Sequence, residues 1–126
     1  MAAKILVVDD DESLCELLRM HLSSAGYEVS TAPDAISAGY QVLKNPPDLI
    51  LSDINMPYMD GFEFVAALKS DTTLPYIPVI FLTSVEDGDH RGKELGAVAY
   101  LMKPVRADRL LELVAQHVPG GAIPIG

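Results

Sequence analysis

The feature that most constrains this chain is a set of short apolar runs, each stopping abruptly at polar, chemically capable residues. Ile5-Leu6-Val7-Val8 runs into Asp9-Asp10-Asp11, and Leu49-Ile50-Leu51 into Ser52-Asp53. Val79-Ile80-Phe81-Leu82 runs into Thr83-Ser84, and Val98-Ala99-Tyr100-Leu101-Met102 into Lys103-Pro104. Runs that are apolar throughout, and not at alternate positions, fit strands buried on both faces of a parallel sheet. Glu28-Val29-Ser30-Thr31-Ala32 is a fifth, more polar candidate that suits a sheet edge.

The segments between these runs carry helix signals. Leu14, Leu17, Leu18, His21 and Leu22 share one helix face. Ser13, with Glu16 three residues on, predicts a capping box, and Gly26 ends that helix. Ala35 to Leu43 reads as a second helix, stopped by Asn45-Pro46-Pro47. Phe62 to Leu68 is a third, offering Phe64, Val65 and Leu68 for packing. Glu86 to Leu95 is the poorest helix candidate, being polar and carrying Gly88 and Gly92. Leu110, Leu111, Val114 and Val118 give an amphipathic last helix. Strand and helix therefore alternate five times. That order predicts an α/β, doubly wound domain: an open five-stranded parallel sheet with helices on both faces. The domain spans residues 1–118, and the Pro- and Gly-rich stretch 119–126 reads as a tail or the start of a linker.

Composition narrows the function. The net charge is −9, from 18 acidic and 9 basic residues, with no basic stripe to grip nucleic acid. No apolar run approaches the roughly 20 residues needed to span a bilayer. Met1-Ala2-Ala3-Lys4 leads straight into a strand without a secretory signal, so neither membrane insertion nor export is expected. The single cysteine, Cys15, excludes an intramolecular disulfide, suits a reducing cytoplasm and sits in the core pattern of the first helix.

In open parallel sheets function gathers beyond the carboxyl ends of the strands. Asp9, Asp10, Asp53, Thr83 and Lys103 all lie at such ends. Carboxylates drawn together repel one another unless a cation sits among them. An all-oxygen set suits a hard ion such as Mg²⁺, which keeps waters and phosphate oxygens in its shell. Three carboxylates balanced by Mg²⁺ and Lys103 make a nearly neutral site that can receive a phosphoryl dianion. The Thr83 hydroxyl can donate to a phosphoryl oxygen, and a carboxylate can be the nucleophile.

These residues stand in motifs, and the motifs resemble those of response-regulator receiver domains in two-component phosphorelay signalling. The motifs are Val7-Val8-Asp9-Asp10-Asp11, Asp53-Ile54-Asn55-Met56-Pro57-Tyr58-Met59-Asp60-Gly61, Phe81-Leu82-Thr83-Ser84 and Tyr100-Leu101-Met102-Lys103-Pro104. The resemblance covers essentially residues 4 to 118. It implies a flavodoxin-like fold with strand order 2-1-3-4-5. It also implies that Asp53 is the phospho-acceptor, and that Asp9, Asp10, Asp53 and the Asn55 carbonyl hold Mg²⁺. Lys103 would contact the phosphoryl group, the peptide bond before Pro104 would be cis, and Thr83 with Tyr100 would form a switch pair. The implied partners are a histidine kinase or phosphotransfer protein as donor and a downstream protein or output domain as target. A surface built from the fourth helical segment, the fifth strand and the last helix would signal to that target, and phosphorylation-dependent dimerisation would be compatible. Such a domain is not an enzyme on an outside substrate; it catalyses only its own phosphorylation and dephosphorylation.

Two rival readings follow from the same residues. Asp9-Asp10-Asp11 also matches the Asp-x-Asp motif of haloacid-dehalogenase-like phosphohydrolases, with Asp9 as nucleophile, although no cap domain or second acidic pair is present. A docking module that no longer accepts phosphate is the other. Asp11 on its own could simply cap the first helix. His21 and His117 lie on helices as packing or surface residues, His90 falls in the polar fourth segment, and no zinc-ligand spacing joins them to other ligands. Gly88 to Lys93 has one residue too few between its glycines for a phosphate-binding loop, and Glu94 follows where Ser or Thr belongs.

Overall fold

Five parallel strands form one sheet in the order β2-β1-β3-β4-β5. They are β1 (Lys4–Val8), β2 (Glu28–Ala32), β3 (Leu49–Asp53), β4 (Val79–Thr83) and β5 (Ala99–Met102). The computed structural model describes residues 2–84 and 97–118. The helix expected at Glu86 to Leu95 and the tail at 119–126 lie outside the described residues. The described helices are α1 (Glu12–Ser24), α2 (Ala35–Lys44), α3 (Gly61–Ser70) and α4 (Ala107–His117). The polar candidate strand is indeed the edge strand β2, with alternate residues exposed.

The apolar runs divide between two half-cores, because successive strand side chains point to opposite faces. Ile5, Val7, Leu49, Leu51, Ile80, Leu82 and Leu101 pack with α1 and α4. Leu6, Val8, Ile50, Val79 and Phe81 pack with α2 and α3. Every residue of β3 and β4 is buried, as two-sided coverage requires. Cys15, Leu18 and Leu22 are the buried positions of α1, while Leu17 from the same apolar pattern is exposed.

Helix boundaries are set by side-chain caps. The box expected from Ser13 and Glu16 does not form. The N-cap of α1 is Asp11, still extended at φ −88°, ψ 102°, and its carboxylate accepts from the Leu14 N–H at 3.1 Å. Ser13 is already inside the helix, and Glu16 pairs with Arg19 on the exposed face. A reciprocal box does exist at α3: the Glu63 N–H donates to Asp60 Oδ1 (2.8 Å), and the Asp60 N–H donates to Glu63 Oε1 (3.0 Å). Gly26, just beyond α1, takes φ +99°, the left-handed conformation that terminates helices at little cost in glycine.

Candidate functional site

Parallel pairing brings the polar strand ends together. Val8 lies opposite Ser52 in the β1–β3 register, so one further step sets Asp9 beside Asp53. Asp53 lies opposite Leu82, and Thr83 follows at the end of β4. Thr83 lies opposite Met102, and the Lys103 N–H donates to the Thr83 carbonyl at 2.7 Å. Adjacency in the sheet thus collects residues that are as much as 94 positions apart in sequence, from Asp9 to Lys103.

One carboxylate oxygen each from Asp9, Asp10 and Asp53 lies within 4.8 Å of the others. Asp9 and Asp53 are buried, at 1% and 6% exposure, whereas Asp10 is open to solvent. Lys103 Nζ sits 3.2 Å from Asp53 Oδ1 and 3.2 Å from Asp9 Oδ2, so one ammonium serves two buried carboxylates. The Lys103 contact to Asp9 is an ion pair without hydrogen-bond geometry, and Asp9 Oδ2 accepts no hydrogen bond from the described residues. Asp9 Oδ1 accepts from the Asp11 N–H (2.9 Å), and Asp53 Oδ1 from the Ile54 N–H (2.9 Å).

This packing shifts the acid–base balance. Burial, with the Asp9 charge added, pushes the Asp53 carboxyl above its ordinary range; Lys103 and the Ile54 N–H only partly offset it. Burial likewise raises Asp9, against the pull of the Asp11 N–H and Lys103. For Lys103 burial disfavours the charge, but Asp53 and Asp9 outweigh it and raise its pKa. The cluster is therefore short of positive charge. A buried carboxylate oxygen without a hydrogen bond, in an all-oxygen donor set, suits a hard divalent cation such as Mg²⁺.

The other expected residues fall around this centre. Thr83 is buried at its strand end, with Oγ1 donating to the Ser84 carbonyl at 3.3 Å. Tyr100 is half-buried on β5, its ring 6.1 Å from that of Phe81. Asn55 lies exposed in the loop after β3, and the Lys103–Pro104 peptide bond is cis.

Two residues gained no physical role from sequence reasoning. Ser52 Oγ donates to the Asp53 carbonyl at 2.9 Å, bracing the backbone at the end of β3. Gly61, quoted only as part of a motif, has its N–H donating to the Ile54 carbonyl at 2.7 Å. A Cβ at Gly61 would lie 2.6 Å from the Asp53 carbonyl oxygen and 2.8 Å from the Phe81 ring. The signal for Gly61 was the Asp60-Gly61 pair; nothing in the sequence distinguished Ser52.

Fold and site together define a doubly wound α/β domain with an acidic cluster and a lysine at its strand ends. The family model for the response regulator receiver domain matches residues 5–115, and the chain belongs to that family. Its role is that of a phosphorylation-accepting signalling domain. Response regulator PleD of Caulobacter vibrioides is 45% identical over 107 residues, covering 83% of this chain and 24% of PleD. Response regulator protein FleR of Pseudomonas aeruginosa is 39% identical over 123 residues, covering 95% of this chain and 25% of FleR. The chain thus spans about a quarter of the length of these relatives. Among solved structures, the chemotaxis response regulator CheY4 of Vibrio cholerae superposes with a TM-score of 0.84 at 38% identity, covering 90% of this chain and 97% of that one. The NtrX receiver domain of Brucella abortus gives 0.82 at 29%, covering 92% and 98%. The family match and these response-regulator and receiver-domain relatives do not favour the reading with Asp9 as nucleophile. Among the described residues no helix is long and apolar enough to cross a membrane.

Proposed function

We propose that Asp53 accepts the phosphoryl group. The observation that carries this is its buried carboxylate at the end of β3, held against Lys103 and the Ile54 N–H, with Asp9 and Asp10 alongside. A carboxylate oxygen of Asp53 attacks phosphorus, the bond from phosphorus to the donor breaks, and the donor leaves with the electron pair. The product is an acyl phosphate, and attack by water returns the carboxylate and free phosphate. Asp9, Asp10, Asp53 and the Asn55 carbonyl would hold Mg²⁺. That ion supplies charge neutralisation for the incoming phosphoryl oxygens. Lys103 pairs with a phosphoryl oxygen in place of a carboxylate, and the Thr83 hydroxyl donates to another. Movement of Thr83 toward the phosphoryl group lets the Tyr100 ring turn inward, altering the surface around β5, α4 and the segment before β5.

The donor in this reading is a histidine kinase or a phosphotransfer protein in the cytoplasm. The target is an output domain or separate protein, and a phosphorylation-dependent dimer is compatible with it. The chain catalyses only its own phosphorylation and dephosphorylation and binds no nucleic acid itself. Residues 1–118 form the receiver unit, and 119–126 its tail or the start of a linker. Incubation with acetyl phosphate and Mg²⁺, followed by intact mass measurement, tests the assignment. A Mg²⁺-dependent phosphoryl adduct that survives in Asp9→Ala, even at lower yield, and vanishes in Asp53→Ala supports it. An adduct that persists in Asp53→Ala and vanishes in Asp9→Ala would transfer the role to Asp9, and no adduct would leave a docking module.

A further inference from the structure

Tyr58 is the one described residue other than glycine with a positive φ, 74°. Across it the Met59 N–H donates to the Pro57 carbonyl at 2.8 Å. A bond spanning two residues about such a φ is the rare, strained form of the γ-turn. Glycine or asparagine would occupy this conformation with less strain than an aromatic residue. Burial offers no compensation, because Tyr58 is 81% exposed, the most of any large apolar or aromatic side chain among the described residues.

The turn is braced at both ends. On one side Asp53 Oδ1 accepts from the Ile54 N–H, and on the other the Gly61 N–H donates to the Ile54 carbonyl. The Asp60–Glu63 box then locks the start of α3. Tyr58 therefore stands outward on a fixed loop that begins at Asp53. Strain retained at a functional site, on an exposed ring that folding does not need, points to recognition. Exposed tyrosines suit this role, since they supply a large contact area at small entropic cost.

We infer that Tyr58 is a docking contact for the protein that carries the phosphoryl donor. The inference rests on Asp53 being the acceptor, since a macromolecular donor must then approach across the loop leading from it. Tyr58 recognises the donor protein and takes no part in bond making, so a small phosphodonor bypasses it.

The test compares two donors. A panel of autophosphorylated histidine kinase cores is screened for the fastest transfer to the unaltered chain. Transfer from that kinase and from acetyl phosphate is then timed for Tyr58→Gly, Tyr58→Asn and Tyr58→Phe. The Gly and Asn variants should melt at or above the unaltered protein, because the turn is relaxed. They should accept from acetyl phosphate within about twofold, yet lose about tenfold or more in transfer from the kinase, with Phe retaining most of the rate. Unchanged kinase transfer in Tyr58→Gly, or equal loss with both donors, overturns the inference and leaves the Asp53 assignment standing. An unaltered chain that takes no phosphoryl group from any donor overturns both.

Discussion

Replacing Asp53 by asparagine should stabilise the metal-free domain while abolishing its chemistry. Asp53 Oδ1 lies 3.2 Å from Lys103 Nζ, an attraction of about 5 kcal/mol at an effective dielectric of ~20. The Asp9 carboxylate, within 4.8 Å, returns at least about 3 kcal/mol of repulsion. Burying the ion costs several kcal/mol more. Repulsion and burial together outweigh the attraction, so ionised Asp53 is a net cost to the metal-free fold, the direction in which its pKa is raised. Asparagine keeps an oxygen for the Ile54 N–H and sheds the charge. The melting temperature of Asp53→Asn without Mg²⁺ should therefore rise, by about 4 °C for each kcal/mol of this cost that is relieved. A carboxyl raised in the folded state loses stability as pH climbs from its unfolded value to its folded one. The gap between variant and parent should thus be absent below about pH 4, open as pH rises through the raised Asp53 value, and stay flat above it. Mg²⁺ should close the gap by stabilising the parent more than the variant. Calorimetry or thermal unfolding across pH, with and without Mg²⁺, measures all of this. A metal-free Asp53→Asn that melts below the parent at pH 7 would refute the charge argument.

Three further outcomes follow from the packing. Asp11→Ala should cost about 1 kcal/mol by removing the α1 cap while Ser13→Ala stays within about 0.5 kcal/mol, as urea titration would show; the reverse order would restore Ser13 as the cap. Gly61→Ala should destabilise by about 1–3 kcal/mol and weaken Mg²⁺ binding, because its methyl meets the Asp53 backbone; equilibrium unfolding within about 0.5 kcal/mol of the parent would contradict the close approach. Burial and the nearby Asp9 and Asp11 charges push the Cys15 thiol up to about 11, so an aromatic disulfide reagent should label it at pH 8 only as fast as the protein unfolds.

Much of the fold was legible because two-sided burial leaves a strong mark. β1, β3 and β4 are apolar at nearly every position, which only a covered parallel sheet demands. β2 carried the opposite mark, and it is the edge. Asp9, Asp10, Asp53 and Lys103 were legible as a cluster because each lies within two residues of the end of an apolar run, and parallel strands align such ends. At α1 the sequence offers two starts, a Ser13–Glu16 box and an Asp11 cap, and only the extended backbone at Asp11 decides for the second. The box at α3 has the same three-residue spacing, Asp60 to Glu63, and so lay within reach of the same sequence signal. The strain at Tyr58 left no trace in the sequence, since nothing in a tyrosine signals a positive φ.

Where the phosphoryl group goes is the most direct test of Asp53 as its acceptor. After incubation with acetyl phosphate and Mg²⁺, borohydride reduction converts an acyl phosphate into an alcohol that survives digestion. Peptide mapping should then place the reduced side chain at position 53, with none recovered when Mg²⁺ is withheld. Reduction at position 9, or at neither aspartate, would contradict the central claim.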